Sequence, residues 1–203
     1  MRLLYFLEKA IERCTSIVYT RLIVMFSHSV KIGKESVVYY KSSILNLSRR
    51  GGVKIGTGCK IGTSPKRYHA GMPFHTRLLC DGYDSTITIG DNSRINGASI
   101  HAGSSVEIGA NCVIASGVAI MDSNGHELYS KNRTEGSDSP QPIRIGNNVW
   151  IGLNVVILKG SIIGDNSVIA VGSVVKGSFP ENSLIAGNPG VVVKHLMIDW
   201  QEK

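Results

Sequence analysis

Isoleucine and valine recur every six residues along most of this chain. The period is unbroken at Ile145, Ile151, Ile157, Ile163, Ile169 and Val175. Earlier stretches in phase are Ile32, Val38 and Ile44; Ile55 and Ile61; Ile89 and Ile95; and Ile108, Ile114 and Ile120. A helix repeats every 3.6 residues and a strand every two, so neither explains a period of six. A prism of short strands does, because every sixth side chain points to its axis, and the pattern predicts stacked coils with strands about 4.8 Å apart.

The residues beside the repeated apolar position are small. Glycine or alanine follows it at Gly33, Gly56, Gly62, Gly90, Gly109, Ala115, Gly146, Gly152, Gly164 and Ala170. Such residues let the backbone turn a corner between two faces. Four positions after the apolar residue comes a second small slot, which holds Cys59 and Cys112. We therefore interpret these cysteines as core residues and not as nucleophiles.

Residues 2–26 have helical spacing instead. One stripe contains Leu3, Leu7, Ala10, Ile11, Cys14, Ile17, Val18, Leu22 and Met25. We expect a helix that packs this stripe on the main body or on a neighbouring subunit; the alternative is an interfacial helix that rests on a membrane with basic residues at its flanks. Charged residues interrupt the segment, which argues against a membrane span and against a signal peptide.

The six-residue period breaks twice, at residues 63–86 and 121–142, and inserted loops of a solenoid often carry function. The first break contains His75 and Arg77, which we predict to contact an anionic acceptor if the segment is not simply a solvated loop. The second break is polar, is closed by Pro140 and Pro142, and has His126 as its sole histidine. An excursion of this length within a rigid repeat is usually functional.

Composition agrees with a strand-rich fold, since Ile and Val total 42 residues and Leu only 13. The formal charge of +7 suits a phosphate-rich ligand, an anionic polymer or a membrane surface. The basic residues are scattered and form no block of the nucleic-acid-binding type, so we expect no nucleic-acid partner. The four cysteines include no CxxC pair, which argues against zinc and fits a reducing cytoplasm.

These hexapeptide repeats resemble those of the left-handed parallel β-helix acyltransferases, over roughly residues 30–194 and most strongly over 87–194. The resemblance implies an all-β solenoid in which three hexapeptides make one triangular coil. It divides the chain into an N-terminal amphipathic helix (1–28), a β-helix acyltransferase domain (29–194) and a C-terminal tail (195–203). It also implies a homotrimer with active sites between subunits.

The stretch GVAIMDSNGHELYS followed by PIRIGNNVWIG is similar to the family's catalytic loop and return strand. By that match His126 is the general base, and a histidine has a suitable pKa for the role. Asn96 matches a family asparagine that holds the thioester or the developing oxyanion, although a plain turn residue is the alternative. Asp122 is a candidate to orient His126, with Glu127 as a weaker one. His101 is either a residue that lines the cleft and contacts the acceptor or an exposed structural histidine.

Acetyl-CoA as acyl donor is likewise implied by the resemblance, with no metal required. The family's donor positions carry over onto Leu153, Val171, Lys176 and Lys194, and Trp150 is expected at the subunit boundary near the cleft. The two lysines could meet CoA phosphates or be ordinary surface charges. Lys176 stands one position away from the family's usual lysine, and Gly190 and Val191 replace its usual residues after AGNP.

The leading hypothesis is an acetyl-CoA-dependent O-acetyltransferase acting on a sugar hydroxyl of a capsular or surface polysaccharide or its precursor. Nucleotide-sugar N-acetyltransfer is the nearest alternative. A zinc enzyme of the γ-carbonic anhydrase kind needs a second histidine close to His126, which is missing. A non-catalytic scaffold would not need the loop 121–142. We expect a cytoplasmic enzyme, with peripheral contact at the inner face of the membrane if the first helix provides it.

Overall fold

The computed structural model describes residues 2–197. A single long helix, α1 (Arg2–Phe26), precedes the strands, and a 3-10 turn lies at Pro65–Arg67. The strands in chain order are β1 (Val30–Ile32), β2 (Val37–Val38), β3 (Ser43–Asn46), β4 (Gly52–Ile55), β5 (Lys60–Ile61), β6 (Arg77–Cys80), β7 (Thr86–Ile89), β8 (Arg94–Ile95), β9 (Ser99–Ala102), β10 (Ser105–Ile108), β11 (Val113–Ile114), β12 (Ala119–Met121), β13 (Ile143–Ile145), β14 (Trp150–Ile151), β15 (Val156–Leu158), β16 (Ile162–Ile163), β17 (Val168–Ile169), β18 (Val174–Val175), β19 (Ser178–Phe179), β20 (Ser183–Gly187) and β21 (Gly190–His195).

The strands form three sheets that are the faces of a triangular prism. Face A is ordered β1-β4-β7-β10-β13-β16-β19, face B is β2-β5-β8-β11-β14-β17-β20-β21, and face C is β3-β6-β9-β12-β15-β18. Successive strands of the chain go to successive faces, and each strand pairs in parallel with the strand one coil away. Only β20 and β21 pair antiparallel among the described strands. The predicted parallel β-helix is therefore confirmed.

The repeated isoleucines stack on each other in the interior. Ile145 lies in register with Ile163, and Ile151 with Ile169, so one regular coil takes 18 residues, or three hexapeptides. Most side chains at the six-residue positions are almost completely buried, including Ile61, Ile95, Ile114, Ile120, Ile151 and Ile157, whereas Ile32 and Ile44 of the first coil are partly buried. Because the burial of one Ile side chain contributes about 1.5–3 kcal/mol, these ladders dominate the stability of the fold.

Cys59 and Cys112 are part of this interior, as predicted. Both are fully buried, and their Sγ atoms lie 3.1 Å from the carbonyl oxygen of Gly90 and 3.2 Å from that of Gly146, respectively. Burial raises the pKa of both thiols, which keeps them protonated and unreactive at neutral pH.

Three edges join the faces, and we name each edge by the faces that it connects. Residues 62–76 leave the B/C edge between β5 and β6, and residues 122–142 leave the C/A edge between β12 and β13. The expectation of one continuous loop over 63–86 was wrong, because Arg77–Cys80 forms β6 and Thr86 begins β7. Leu78 and Cys80 of β6 point into the core, two residues apart instead of six.

The helix α1 begins and ends close to the predicted limits, but its packing face is different. Ser16, Tyr19 and Thr20 face the β-helix, whereas the predicted apolar stripe is exposed, with Ile11 at 64% and Val18 at 55%. The hydroxyl of Thr20 accepts a hydrogen bond from the Val38 N–H at 2.9 Å, and that of Tyr19 donates one to the Ser42 carbonyl at 2.9 Å. The expectation that the stripe packs on the body of the same chain was therefore wrong.

Polar side chains cover the first coil because the outer strand β2 has backbone groups without a neighbouring strand to pair with. The apolar stripe is left on the outside of the helix.

Within residues 2–197, no helical segment combines the length and the apolar content needed to cross a bilayer. At the other end of the chain, residues 198–203 of the predicted C-terminal tail lie outside the described residues.

Candidate functional site at the C/A and B/C edges

His126 lies on the loop 122–142, which projects from the C/A edge. Its side chain is exposed, and Gly125 before it has a positive φ of 79° with open space around it. The loop tip is tied by Arg133, whose guanidinium donates to the Glu127 carbonyl at 2.7 Å and also to that of Leu128. An exposed imidazole on a tied loop can reach a molecule that approaches from outside the prism.

A buried ion pair holds the two ends of this loop together. Nζ of Lys159, at the C/A edge of the next coil, lies 2.6 Å from a carboxylate oxygen of Asp138, and the two side chains are only 17% and 5% exposed. The same carboxylate accepts hydrogen bonds from the Ser123 hydroxyl at 2.5 Å and from the Asn124 N–H at 2.8 Å. Residues 123 and 124 immediately precede Gly125 and His126, so Asp138 and Lys159 fix the backbone from which the imidazole projects.

These contacts also keep Asp138 ionised. Burial opposes ionisation, but the hydrogen bonds from Lys159, Ser123 and Asn124 and the positive charge of Lys159 together hold the pKa of the Asp138 carboxyl well below its usual range. Sequence reasoning missed both Asp138 and Lys159. The two residues are 21 positions apart, and only the stacking of the coils brings them together.

Asp122 is buried and does not orient His126, which corrects the prediction. Its two carboxylate oxygens accept hydrogen bonds from the backbone N–H groups of Gly103 and Ser104, each at 2.7 Å. Burial raises the pKa of the Asp122 carboxyl, while these two N–H donors oppose that effect. Asp122 thus ties the first stem of the loop to the preceding coil. Glu127, the weaker candidate, is exposed, and no hydrogen bond joins its carboxylate to His126 within residues 2–197.

His101 lies on the outer side of face C at the same edge. Its Nε2 atom is 2.8 Å from a carboxylate oxygen of Asp81, and its side chain is 25% exposed. His101 is in register with Met121, the residue before Asp122. The structure therefore brings His101 to the base of the His126 loop and gives it a carboxylate partner that the sequence did not reveal.

Asn96 lies at the opposite end of face C, at the B/C edge. It is half-buried and directly follows β8. The loop 62–76 folds over this edge, because the Ser116 hydroxyl donates to the Gly71 carbonyl at 2.8 Å and the Thr76 hydroxyl accepts from the Gly97 N–H at 2.9 Å. Within one chain, Asn96 and the His126 loop are separated by the width of a face.

The two predicted acceptor residues of the first break also lie near the B/C edge. Arg77 is exposed on β6, in register with Ser99. His75 packs near the ring of Tyr39, with 5.9 Å between ring centroids, and its buried Nδ1 atom has no hydrogen-bond partner within the described part of the chain. His75 is thus half-buried against its own chain, whereas Arg77 is free to contact a ligand.

Four predicted donor-binding residues are divided between the two edges and β21. Leu153 and Val171 lie one coil apart at the B/C edge, where the Gly172 N–H donates to the Leu153 carbonyl at 2.8 Å. Lys176 follows β18 at the C/A edge, and Lys194 is exposed on β21. Val171 is 65% exposed, and a Cβ atom at Gly172 would meet no other group of the described chain within 4 Å. This open, apolar edge has room for the extended arm of a CoA molecule.

Trp150 projects from face B and is 56% exposed, so in a single chain its indole has room to contact a partner. Within residues 2–197, no group of three or more His, Cys, Asp or Glu side chains is arranged to hold a metal ion. An exposed imidazole at the C/A edge can serve as a general base, which acyl transfer to a hydroxyl or an amine requires.

Two family models match the repeat region. Residues 142–177 match the bacterial transferase hexapeptide (six repeats), and residues 86–121 match the hexapeptide repeat of succinyl-transferase. A Saccharomyces cerevisiae protein named as an acetyltransferase, YJL218W, is 42% identical over 137 residues, which are 67% of this chain and 67% of the relative. The galactoside O-acetyltransferase of Escherichia coli strain K12 is 43% identical over 115 residues, which are 56% of each chain.

A third relative is the Escherichia coli K12 protein WbbJ, which is named for O-acetyl transfer in lipopolysaccharide biosynthesis. It is 38% identical over 118 residues, 53% of this chain and 60% of the relative. The chain therefore spans between 56% and 67% of the length of these three relatives. A solved structure of galactoside acetyltransferase in complex with coenzyme A is 31% identical, with a TM-score of 0.52, and the match covers 76% of this chain and 65% of that chain.

The triangular parallel β-helix is the architecture of the left-handed β-helix class. The chain belongs to the hexapeptide-repeat acetyltransferase family. It is thus an enzyme, and its expected use of a CoA-linked acyl donor agrees with the solved galactoside acetyltransferase complex.

Proposed function

We propose that this protein transfers an acetyl group from acetyl-CoA to a hydroxyl of a sugar, in a surface polysaccharide or its precursor, with His126 as the general base. The observation that carries the proposal is the support of the His126 loop by Lys159 and Asp138 at an edge of a family β-helix. Two of the relatives reported above are named for O-acetyl transfer to a galactoside and in lipopolysaccharide biosynthesis.

In the proposed reaction, the imidazole of His126 accepts the hydroxyl proton as the acceptor oxygen bonds to the thioester carbonyl carbon. The carbonyl then re-forms, the carbon–sulfur bond breaks, and the imidazolium returns its proton to the departing thiolate. The side-chain amide of Asn96 stabilises the oxyanion of the intermediate, and one such donor is worth about 3 kcal/mol. The pantetheine arm lies along the edge that carries Leu153 and Val171, and Lys176 and Lys194 contact phosphates of CoA.

We propose that the active sites are completed between the subunits of a homotrimer. Asn96 and the His126 loop lie at opposite ends of face C, so each needs the other edge of a neighbouring subunit to complete a site. The outer side of face C carries a column of mostly apolar side chains, Leu45, Leu79, Met121 and Leu158, with His101 between Leu79 and Met121. If face C is turned to a three-fold axis, the C/A edge of one subunit meets the B/C edge of the next, and the ring closes.

The trimer is tested by substitution on two faces. Leu45 is 42% exposed and Met121 36% exposed on face C, whereas Ile162 is 46% exposed on face A, beside Arg144. We expect Leu45→Lys and Met121→Lys to reduce the mass in sedimentation to that of a monomer, and the matched control Ile162→Lys to leave a trimer. A monomeric wild-type protein, or equal effects on both faces, would reject this arrangement.

The catalytic role is tested by release of CoA from acetyl-CoA in the presence of a panel of neutral, acidic and amino sugars. We expect His126→Ala to lose at least about a hundredfold in kcat, because general-base catalysis contributes about 10²–10⁴-fold. His28→Ala, which removes another exposed histidine outside the loop, is the matched control. Unchanged turnover in His126→Ala would reject the mechanism, and acetylation of amino sugars alone would replace O-transfer with N-transfer.

We also propose that the outer side of α1 contacts an anionic membrane surface, at the inner face of the membrane in a cytoplasmic enzyme. Exposed Lys9, Arg13 and Arg21 accompany the exposed apolar stripe, while Glu12 is turned inward to an ion pair with Arg67. Apolar contact together with basic residues is the pattern of an interfacial helix. Sedimentation with anionic vesicles should recover the wild-type protein but not Leu7→Ser/Ile11→Ser, and equal recovery would reject the contact.

A further inference from the structure

The C/A edge carries a second group of side chains that the proposed reaction does not use. Arg49 and Arg50 follow β3, and Tyr83 follows β6, so the group lies at the same edge as the His126 loop. The guanidinium carbons of Arg50 and Arg49 lie 5.4 Å and 6.0 Å from the centroid of the Tyr83 ring. We name these three residues the Arg–Tyr platform.

The backbone holds the Arg–Tyr platform in place. The carbonyl oxygen of Tyr83 accepts hydrogen bonds from the N–H of Arg49 at 3.0 Å, the N–H of Arg50 at 3.2 Å and the hydroxyl of Ser48 at 2.8 Å. The Ser48 hydroxyl in turn accepts from the Gly51 N–H at 2.8 Å. Because the backbone is fixed before any ligand arrives, binding costs less ordering entropy.

The platform presents both an apolar surface and positive charge. Tyr83 is 54% exposed, and among residues 2–197 neither Arg49 nor Arg50 forms an ion pair with a carboxylate. The nearby acids are Asp81, which pairs with His101, and the exposed Asp84. A guanidinium binds a carboxylate through two parallel N–H donors, and an aromatic face packs against the C–H face of a sugar ring.

The platform lies within reach of the His126 loop. Along face C the order of strands is β3, β6, β9 and β12, so Tyr83 is two strands from the start of that loop. Two strand spacings are about 10 Å, which one or two sugar rings can span. His101 lies between them on β9. A glycan that follows the C/A edge would therefore contact the platform while one of its hydroxyls meets His126.

We infer that the Arg–Tyr platform is an acceptor subsite for an acidic glycan, one whose sugar rings carry carboxylates. The platform binds a carboxylated residue of the chain near the residue that receives the acetyl group. The inference rests on the proposed sugar acetyltransferase function, and it adds that the acceptor is negatively charged.

The test compares oligogalacturonate with its carboxyl-reduced, neutral counterpart as acceptors. Arg49→Ala/Arg50→Ala should raise the KM for oligogalacturonate about tenfold or more, since each lost charge-assisted contact is worth about one power of ten. The same variant should leave the KM for acetyl-CoA and for the neutral acceptor unchanged. The matched control is Lys31→Ala/Lys54→Ala, which also removes two exposed positive charges, but from the first two strands of face A.

A binding measurement separates this inference from the proposed function. Calorimetry of oligogalacturonate with His126→Ala should show binding that weakens with added salt and is lost when the Arg49→Ala/Arg50→Ala change is added. Binding of that kind without any wild-type turnover would reject the acetyltransfer proposal and keep the platform. Three results would overturn the subsite. The first is an equal rise in the KM for oligogalacturonate in the platform variant and the face A control, and the second is an equal KM change for the charged and the neutral glycan. The third is the absence of oligogalacturonate binding by His126→Ala.

Discussion

The ammonium of Lys159 lies 2.6 Å from a carboxylate oxygen of Asp138, and this ion pair joins the end of the His126 loop to the following coil. Removal of one partner leaves the other buried without a countercharge. The contacts of Asp138 with Lys159, Ser123 and Asn124 are concentrated at the loop stems, while the interior of the prism is built separately from stacked aliphatic side chains. A local effect on the loop is therefore separable from the stability of the whole domain.

We expect Lys159→Met to lower kcat about tenfold or more with little change in the KM for acetyl-CoA, since a small displacement of a catalytic group has a large effect on rate. Hydrogen exchange should increase across residues 123–139, and the unfolding temperature of the domain should change little. The control is Glu107→Gln, which breaks an exposed pair with Arg144 on face A. Unchanged exchange and unchanged kcat in Lys159→Met would contradict the positioning role.

The lowered pKa of the Asp138 carboxyl determines the pH range in which the His126 loop stays ordered. Its pKa in the folded protein is lowered by Lys159, Ser123 and Asn124, so the unfolded chain takes up a proton first, near pH 3.9. The ion pair therefore stabilises the loop fully above that pH, and its contribution is lost as the pH falls through the lower folded-state pKa. Limited proteolysis should find the loop equally resistant at pH 7 and pH 5. New cleavage within the loop between those two values would show that another group controls it.

Asp122→Asn should destabilise the domain by about 1–3 kcal/mol, because one buried N–H of Gly103 or Ser104 then faces an amide N–H₂ instead of an oxygen. Asp91→Asn is the control, since Asp91 is exposed and uses one carboxylate oxygen to accept from the Thr57 N–H at 2.7 Å. Urea unfolding measures both variants. If Asp122→Asn lowered the free energy of unfolding no more than Asp91→Asn does, the second carboxylate oxygen of Asp122 would contribute nothing to stability.

We expect Asn111→Ala to lower the free energy of unfolding by about 1 kcal/mol and Asn111→Gly to leave it nearly unchanged. Asn111 has a φ of 59° at the A/B edge, a left-handed conformation that asparagine and glycine adopt more readily than alanine. Its side chain is exposed, so little packing is lost in either variant. Thermal unfolding of the two variants gives the comparison, and equal losses would point to the side chain instead of the backbone.

The repeat allowed most of the fold to be predicted. Positions such as Ile145 and Ile163 repeat because each coil places them at the same point of the interior, and that constraint is visible in one dimension. The strand β6 was missed because Leu78 and Cys80 fill the core two residues apart, outside the six-residue phase. A segment that enters a face after a long excursion need not keep the phase of the coils around it.

The packing of α1 was predicted from apolar periodicity, and that rule failed for a physical reason. The N–H groups of the outer strand β2 need hydrogen-bond acceptors, and the Thr20 hydroxyl supplies one for the N–H of Val38. In the site, the position of the loop around His126 could be predicted, but its support could not. Asp122 looked like a partner of the histidine because it is near in sequence, whereas Asp138 and Lys159 act from positions that only the stacked coils bring close.

The ends of face B have a consequence for assembly. A stack of parallel coils finishes in a row of unpaired backbone groups onto which a further strand can add, and open edges of this kind let proteins polymerise. Here the Val38 N–H donates to the Thr20 hydroxyl at 2.9 Å, and the Tyr40 N–H donates to the Ser16 hydroxyl at 3.3 Å. At the opposite end β21 turns back antiparallel on β20. Side chains of α1 at one end and the returning strand β21 at the other thus cover the ends of face B, which leaves less open backbone there for a further strand to add.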